Sequence, residues 1–260
     1  MEAQFIVSAL IAGAAIGLVL GLVGGGGSII AVPLLVYLVG VASPHAAIGT
    51  AAVAVALNAM AGLAGHGRAG TVKWPCAITF SLAGVVGASL GAQLGKAMDG
   101  QRLLALFGGM MIVVGLSMLR ARRTPENPDV RLTRTTAGSL LPRLVPGGFA
   151  VGLLAGFFGI GGGFLIVPAL IMATGMPLRI AVGTSLVAVS ALGLTTAASY
   201  ALSGYVEWRL VGLLVTGGIG GAIGGIALGK RLAGAKRAME IGFAVLVVAV
   251  GCYVAARGLG

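Results

Sequence analysis

The chain alternates long apolar runs with short polar or glycine-rich breaks. Five runs fall in the first half, at residues 5–23, 29–42, 46–64, 75–95 and 103–119. Five more follow at 144–158, 164–176, 180–202, 210–229 and 238–256. About 20 apolar residues, rising 1.5 Å each, cross the hydrocarbon of a bilayer. The runs beside the glycine-rich breaks are mostly shorter, so they either tilt or form a re-entrant pair that meets inside the membrane. Strands of a membrane barrel alternate polar and apolar positions, and these runs do not. The pattern predicts an all-α integral membrane protein with about ten apolar segments, broken or re-entrant at the glycine-rich loops.

Those breaks are the same motif twice. Residues 21–35 read GLVGGGGSIIAVPLL and residues 156–170 read GFFGIGGGFLIVPAL. Gly21, Gly24, Gly26, Gly27 and Pro33 recur 135 positions later as Gly156, Gly159, Gly161, Gly162 and Pro168. After a one-residue slip the offset is 134: Ala47, Gly49 and Thr50 match Ala181, Gly183 and Thr184, and Gly70 and Trp74 match Gly204 and Trp208. The ladders Gly13-Gly17-Gly21 and Gly87-Gly91-Gly95 match Gly148-Gly152-Gly156 and Gly221-Gly225-Gly229. Spacing by four puts each ladder on one helix face, where a neighbouring backbone can approach closely. The chain therefore divides into a first repeat (1–119), a basic linker (120–143) and a second repeat (144–260). Broken apolar segments at matching places in two halves mark a transporter's substrate site.

Composition narrows the class. The chain is 58% hydrophobic and 9% charged, with mean hydropathy +1.08, against about 25% charged residues in a soluble domain. The net charge of +11 does not indicate nucleic acid, because the basic residues sit in short loops between apolar runs. Cys76 and Cys252 stand alone, with no metal or redox spacing. Glu2 and no basic residue precede the first run. A cleaved signal peptide needs a positive start, so this run is read as part of the mature fold.

The charges also give an orientation. Arg120, Arg122, Arg123, Arg131, Arg134 and Arg143 crowd the linker, which the positive-inside rule makes cytoplasmic. With five crossings per half, thirteen basic residues fall inside and only Lys96, Arg102, Arg209 and Arg257 outside. Equivalent loops then carry opposite bias, as two inverted-topology repeats require. An odd number of crossings per half satisfies this, whether five or three. Both termini are expected outside.

The candidate chemistry is that of anion binding. Residues 24–28 (Gly24, Gly25, Gly26, Gly27, Ser28) and 159–163 (Gly159, Gly161, Gly162 and Gly163, with Ile160 between) each lead into an apolar helix. The first helical turn offers free N–H groups and a partial positive charge, and glycine lets a ligand approach the backbone. The competing reading is a packing hinge, which the duplication makes less attractive. Thr50, Thr184 and Ser185 either donate to an oxyanion or bond their own helix backbone. Asn58 either contacts substrate or links helices. His45 and His66 sit at segment ends, and His45 is the candidate for a proton-linked role. No Asp or Glu lies clearly inside a run, which argues against a carboxylate relay. No metal site, cofactor or catalytic set is expected.

The paired glycine motifs, each followed by proline and then by Ala-x-Gly-Thr at residues 47–50 and 181–184, resemble the sulfite exporter TauE/SafE family over nearly the whole chain. The resemblance implies a secondary transporter of the bacterial inner membrane. It would move sulfite, a sulfonate or a related small sulfur-containing anion, usually outward. A permease or channel for a carboxylate or a metal ion is the alternative. The expected partners are that anion and the lipid bilayer, with no nucleic acid, and a homo-oligomer remains open.

Overall fold

The computed structural model describes residues 2–23, 27–119, 130–231 and 236–259. Its elements are α1 (Glu2–Val23), α2 (Ser28–Pro33, continued by a π-helical stretch Leu34–Val39), α3 (Pro44–Arg68), α4 (Trp74–Ala97) and α5 (Gly100–Leu119). The second half repeats them as α6 (Ala137–Phe158), α7 (Gly163–Thr174), α8 (Leu178–Leu202), α9 (Trp208–Arg231) and α10 (Lys236–Leu259). Among the described residues, eight helices are long and apolar enough to span a membrane. Large apolar side chains such as Leu82, Val113 and Ile223 are 66–68% exposed. Lipid, not water, suits such a surface.

One boundary departs from the apolar pattern. Helix α6 starts at Ala137, ahead of the run that begins at residue 144, and carries Pro142 and Pro146 inside it. Proline lacks the N–H and disfavours a helix interior, yet membrane helices tolerate it where neighbours re-satisfy the freed carbonyls.

The glycine ladders pair helices across the halves. Gly87, Gly91 and Gly95 of α4 meet the backbone of Phe149, Leu153 and Phe157 in α6. Gly217, Gly221 and Gly225 of α9 meet Leu10, Ala14 and Leu18 in α1. Both pairs run parallel. Equivalent helices instead run antiparallel. On α3 and α8, Gly49 meets Tyr200 while Gly62 meets Leu186; on α5 and α10, Gly108 meets Ala255 while Gly115 meets Val248. An axis along the membrane normal would leave equivalent helices parallel, so the two-fold lies in the membrane plane and the repeats are inverted.

These contacts also sort the helix ends. Gly100 at the start of α5 lies against Pro44 at the start of α3, and His45 contacts Gly95 at the end of α4. Gly258 near the end of α10 lies against Ala105 in α5, and Gly49 lies against Tyr205, just before α9. Both chain ends therefore share one face, the terminus face. At the opposite, linker face, Gly183 near the start of α8 meets Thr71, just past α3. Arg68, Lys73, Arg131, Arg134, Arg143 and Arg179 fall toward this face. Lys96, Arg102, Arg209 and Arg257 lie at the other, together with Asp99 and Glu207.

Candidate functional site

Helices α3 and α8 cross at their midpoints. The position a Cβ would take on Gly193 is 3.0 Å from Ala56 Cβ, so only small residues allow this approach. The second glycine loop is pressed into the crossing. Helix α6 ends in a Schellman motif, with Gly159 N–H bonding Gly156 O at 3.2 Å and Ile160 N–H bonding Ala155 O at 3.1 Å. Gly159, Gly161 and Gly162 take φ of +66°, +63° and +72°, the left-handed region that a side chain would strain. Gly159 abuts Ile48, one turn into α3, and Gly161 lies beside Val55 of α3 and Val189 and Gly193 of α8.

The chain then re-enters helix at Gly163, with Gly162 as an N-cap that supplies no side-chain hydrogen bond. The first-turn N–H groups of Gly163 and Phe164 have no intrahelical acceptor. A helix N-terminus thus begins at mid-depth. Helix α7 has 12 residues, about 18 Å of rise against a hydrocarbon thickness of about 30 Å. It runs from the crossing only to the linker face. The segment 28–39 of the first half is equally short and ends at Gly40, φ +83°.

Of the first glycine loop, Gly24, Gly25 and Gly26 lie outside the described residues. Gly27, the N-cap of α2, folds back on α1, against Ile16 and Leu20. Ser28 is fully buried.

Thr50 and Thr184 are placed in matching bonds. Thr184 Oγ1 accepts Lys73 N–H at 3.1 Å, and Thr50 Oγ1 accepts Glu207 N–H at 3.0 Å. Lys73 and Glu207 are themselves repeat-equivalent, 134 residues apart. Each Gly-Thr pair therefore holds the hairpin that leads into α4 or α9 of the other half. The neighbouring glycine makes room: a Cβ on Gly183 would stand 2.7 Å from Thr71 Oγ1. Ser185 donates to Val182 O at 2.8 Å, within its own helix.

Asn58 is 5% exposed, and neither its Nδ2 nor its Oδ1 has a partner among the described residues. The amide lies against Gly218 of α9, whose carbonyl faces Gly17 of α1. Gly17 neighbours Ile16, against which Gly27 returns. The repeat counterpart of Asn58 is Leu192, so this polar position belongs to one half only. Among the described residues no group of three His, Cys, Asp or Glu is placed to hold a metal.

His45 and His66 stand out in the sequence as segment-end residues, but the partners that gather around them do not. His45 is grouped with Tyr200, Tyr205 and Lys96 at the terminus face. Its ring centroid is 6.4 Å from that of Tyr200 and 5.4 Å from that of Tyr205. At the linker face His66 Nδ1 lies 2.9 Å from Thr71 Oγ1, within electrostatic reach of Arg179. The offset of 134 pairs His45 with Arg179, His66 with Tyr200 and Thr71 with Tyr205. The residue types differ within each pair, so no repeated motif marked them.

Paired cross-half helices, a breached pair of short helices and a mid-depth helix N-terminus define a multi-pass membrane transporter. The sulfite exporter TauE/SafE family model matches residues 9–254, and the chain belongs to that family. It is 45% identical to a "Probable membrane transporter protein" of Xylella fastidiosa, over 98% of this chain and 96% of that one. It is 28% identical to the "Probable membrane transporter protein YunE" of Bacillus subtilis, over 94% of each. A "Probable membrane transporter protein" of Haemophilus influenzae is 28% identical over 77% of this chain and 75% of its own. No solved structure matches the chain.

Proposed function

We propose that this transporter exports a small sulfur-containing anion, such as sulfite or an organosulfonate, across the bacterial inner membrane. The observation that carries this is the uncapped start of α7, held by three left-handed glycines at the crossing of α3 and α8. Backbone N–H groups and the helix dipole favour an anion there without a charged side chain. Ser28, at the start of α2, and Asn58 of α3 supply side-chain donors from the first half. Thr50 and Thr184 then serve the site indirectly, by clasping α3 and α8 to the hairpins of the other half, and Ser185 bonds only its own helix. Rocking of the cross-paired helices about the central crossing exposes the anion to each side in turn. By the positive-inside rule the linker is cytoplasmic and both termini are outside.

The test is flux in reconstituted vesicles over a panel of sulfite, sulfonates, carboxylates and divalent cations. Gly161→Val should abolish anion flux while the protein still inserts. Undiminished anion flux in that variant, or a preference for cations, overturns the reading.

A further inference from the structure

The polar cluster at the terminus face contains more donors than the protein itself satisfies. Tyr200 is fully buried, and its hydroxyl has no partner among the described residues. The neighbouring Ser199 Oγ is likewise buried and unpartnered. Lys96 Nζ bonds Ser199 O at 3.1 Å and Ser203 Oγ at 3.0 Å, which leaves one of its three donor positions. The same ammonium lies 6.0 Å from the Tyr200 ring centroid. His45 Nε2 is 3.4 Å from Gly95 O, and the Tyr200 hydroxyl is 3.2 Å from where a Cβ on Gly95 would stand. The unpartnered Tyr200 hydroxyl and the His45 ring thus meet at Gly95, with the Lys96 ammonium at their edge. The nearest carboxylate in sequence, Asp99, is engaged elsewhere: its Oδ1 accepts the N–H groups of Gln101 and Arg102 at the start of α5.

The cluster also has a place on a route. Tyr205 is 37% exposed at the surface, and Tyr200 is buried beneath it. Gly95 packs on Phe157, two residues before the second glycine loop. Tyr200 and Gly193 are seven residues apart on α8, so they share a helix face at about 10 Å of rise.

We propose that Lys96, Ser199, Tyr200 and His45 form a second, outer anion site, which takes a small oxyanion between the terminus face and the glycine loops. This rests on the anion reading of the glycine-loop site but adds a station to it. Buried unpaired hydroxyls are costly unless a ligand or water meets them, and an oxyanion accepts from hydroxyl and ammonium alike.

Tyr200→Phe is the decisive variant, because it removes no hydrogen bond within the described protein and leaves the packing intact. In oriented vesicles, with sulfite as probe, Tyr200→Phe and Lys96→Gln should each raise KM about tenfold from the terminus face. KM from the linker face should stay within about twofold. An equal change on both faces, or no change, overturns the outer site. Equilibrium sulfite binding to the Gly161→Val protein separates this from the central reading. Weak binding that persists there, and is lost when Tyr200→Phe and Lys96→Gln are added, supports the outer site. Binding lost with Gly161→Val alone overturns it. Flux that survives Gly161→Val overturns the glycine-loop reading instead, and persistent Tyr200-dependent binding still supports the outer site.

Discussion

The hydroxyl of Thr50 in α3 accepts the backbone N–H of Glu207, 157 residues away in the other repeat, at 3.0 Å. Thr184 does the same for Lys73. Each bond satisfies the N–H of a residue just ahead of a helix, so its loss leaves a partly buried donor unmatched. Thr50→Val should lower the stability of the detergent-solubilised protein by about 1–2 kcal/mol. Thr50→Ser should restore most of it. Thermal unfolding of both variants reads the difference, and unchanged stability in Thr50→Val would remove the clasp from the account.

Adjacent glycines in α9 make opposite forecasts. A Cβ on Gly221 would drive into Ala14 O of α1, whereas one on Gly220 meets nothing within 4 Å. Gly220→Ala should be neutral or stabilising by about 0.4–1 kcal/mol, through reduced freedom of the unfolded chain. Gly221→Ala must push α1 and α9 apart and should reduce the yield of folded protein sharply. Size-exclusion profiles of the two purified variants test this.

Asn58→Leu replaces a buried, unpartnered amide with the residue that occupies the equivalent place in the second repeat. If the amide serves only the fold, nothing in its hydrogen bonding is lost. Stability should therefore hold or rise. Anion affinity should fall at least about tenfold if the amide donates to substrate. Stability and sulfite affinity measured on one preparation distinguish the outcomes: unchanged affinity would remove Asn58 from the site.

The two chain ends share a face opposite Arg68 and Arg179. A C-terminal reporter that fluoresces only in the cytoplasm should stay dark, and one inserted in the linker near residue 130 should be bright. A bright C-terminal fusion would invert the assignment.

Much of this was legible along the chain. Apolar runs long enough to span, glycines at a spacing of four and a 134-residue offset suffice for helices, close pairing and duplication. Loop charges of opposite bias pointed to inversion, since the positive-inside rule acts on local sequence. Which ladder meets which was not legible: α4 pairs with α6 and α1 with α9 because backbones approach only where two small-residue faces match in shape. The role of Thr50 lay equally out of reach. A hydroxyl in an apolar helix bonds its own backbone or a partner, and only folding brought Glu207 N–H to it. The glycine loop itself was plain in sequence as a break. Its depth, at the crossing of α3 and α8, came from tertiary packing, because Val55 and Gly193 are brought to Gly161 from helices far away in the chain.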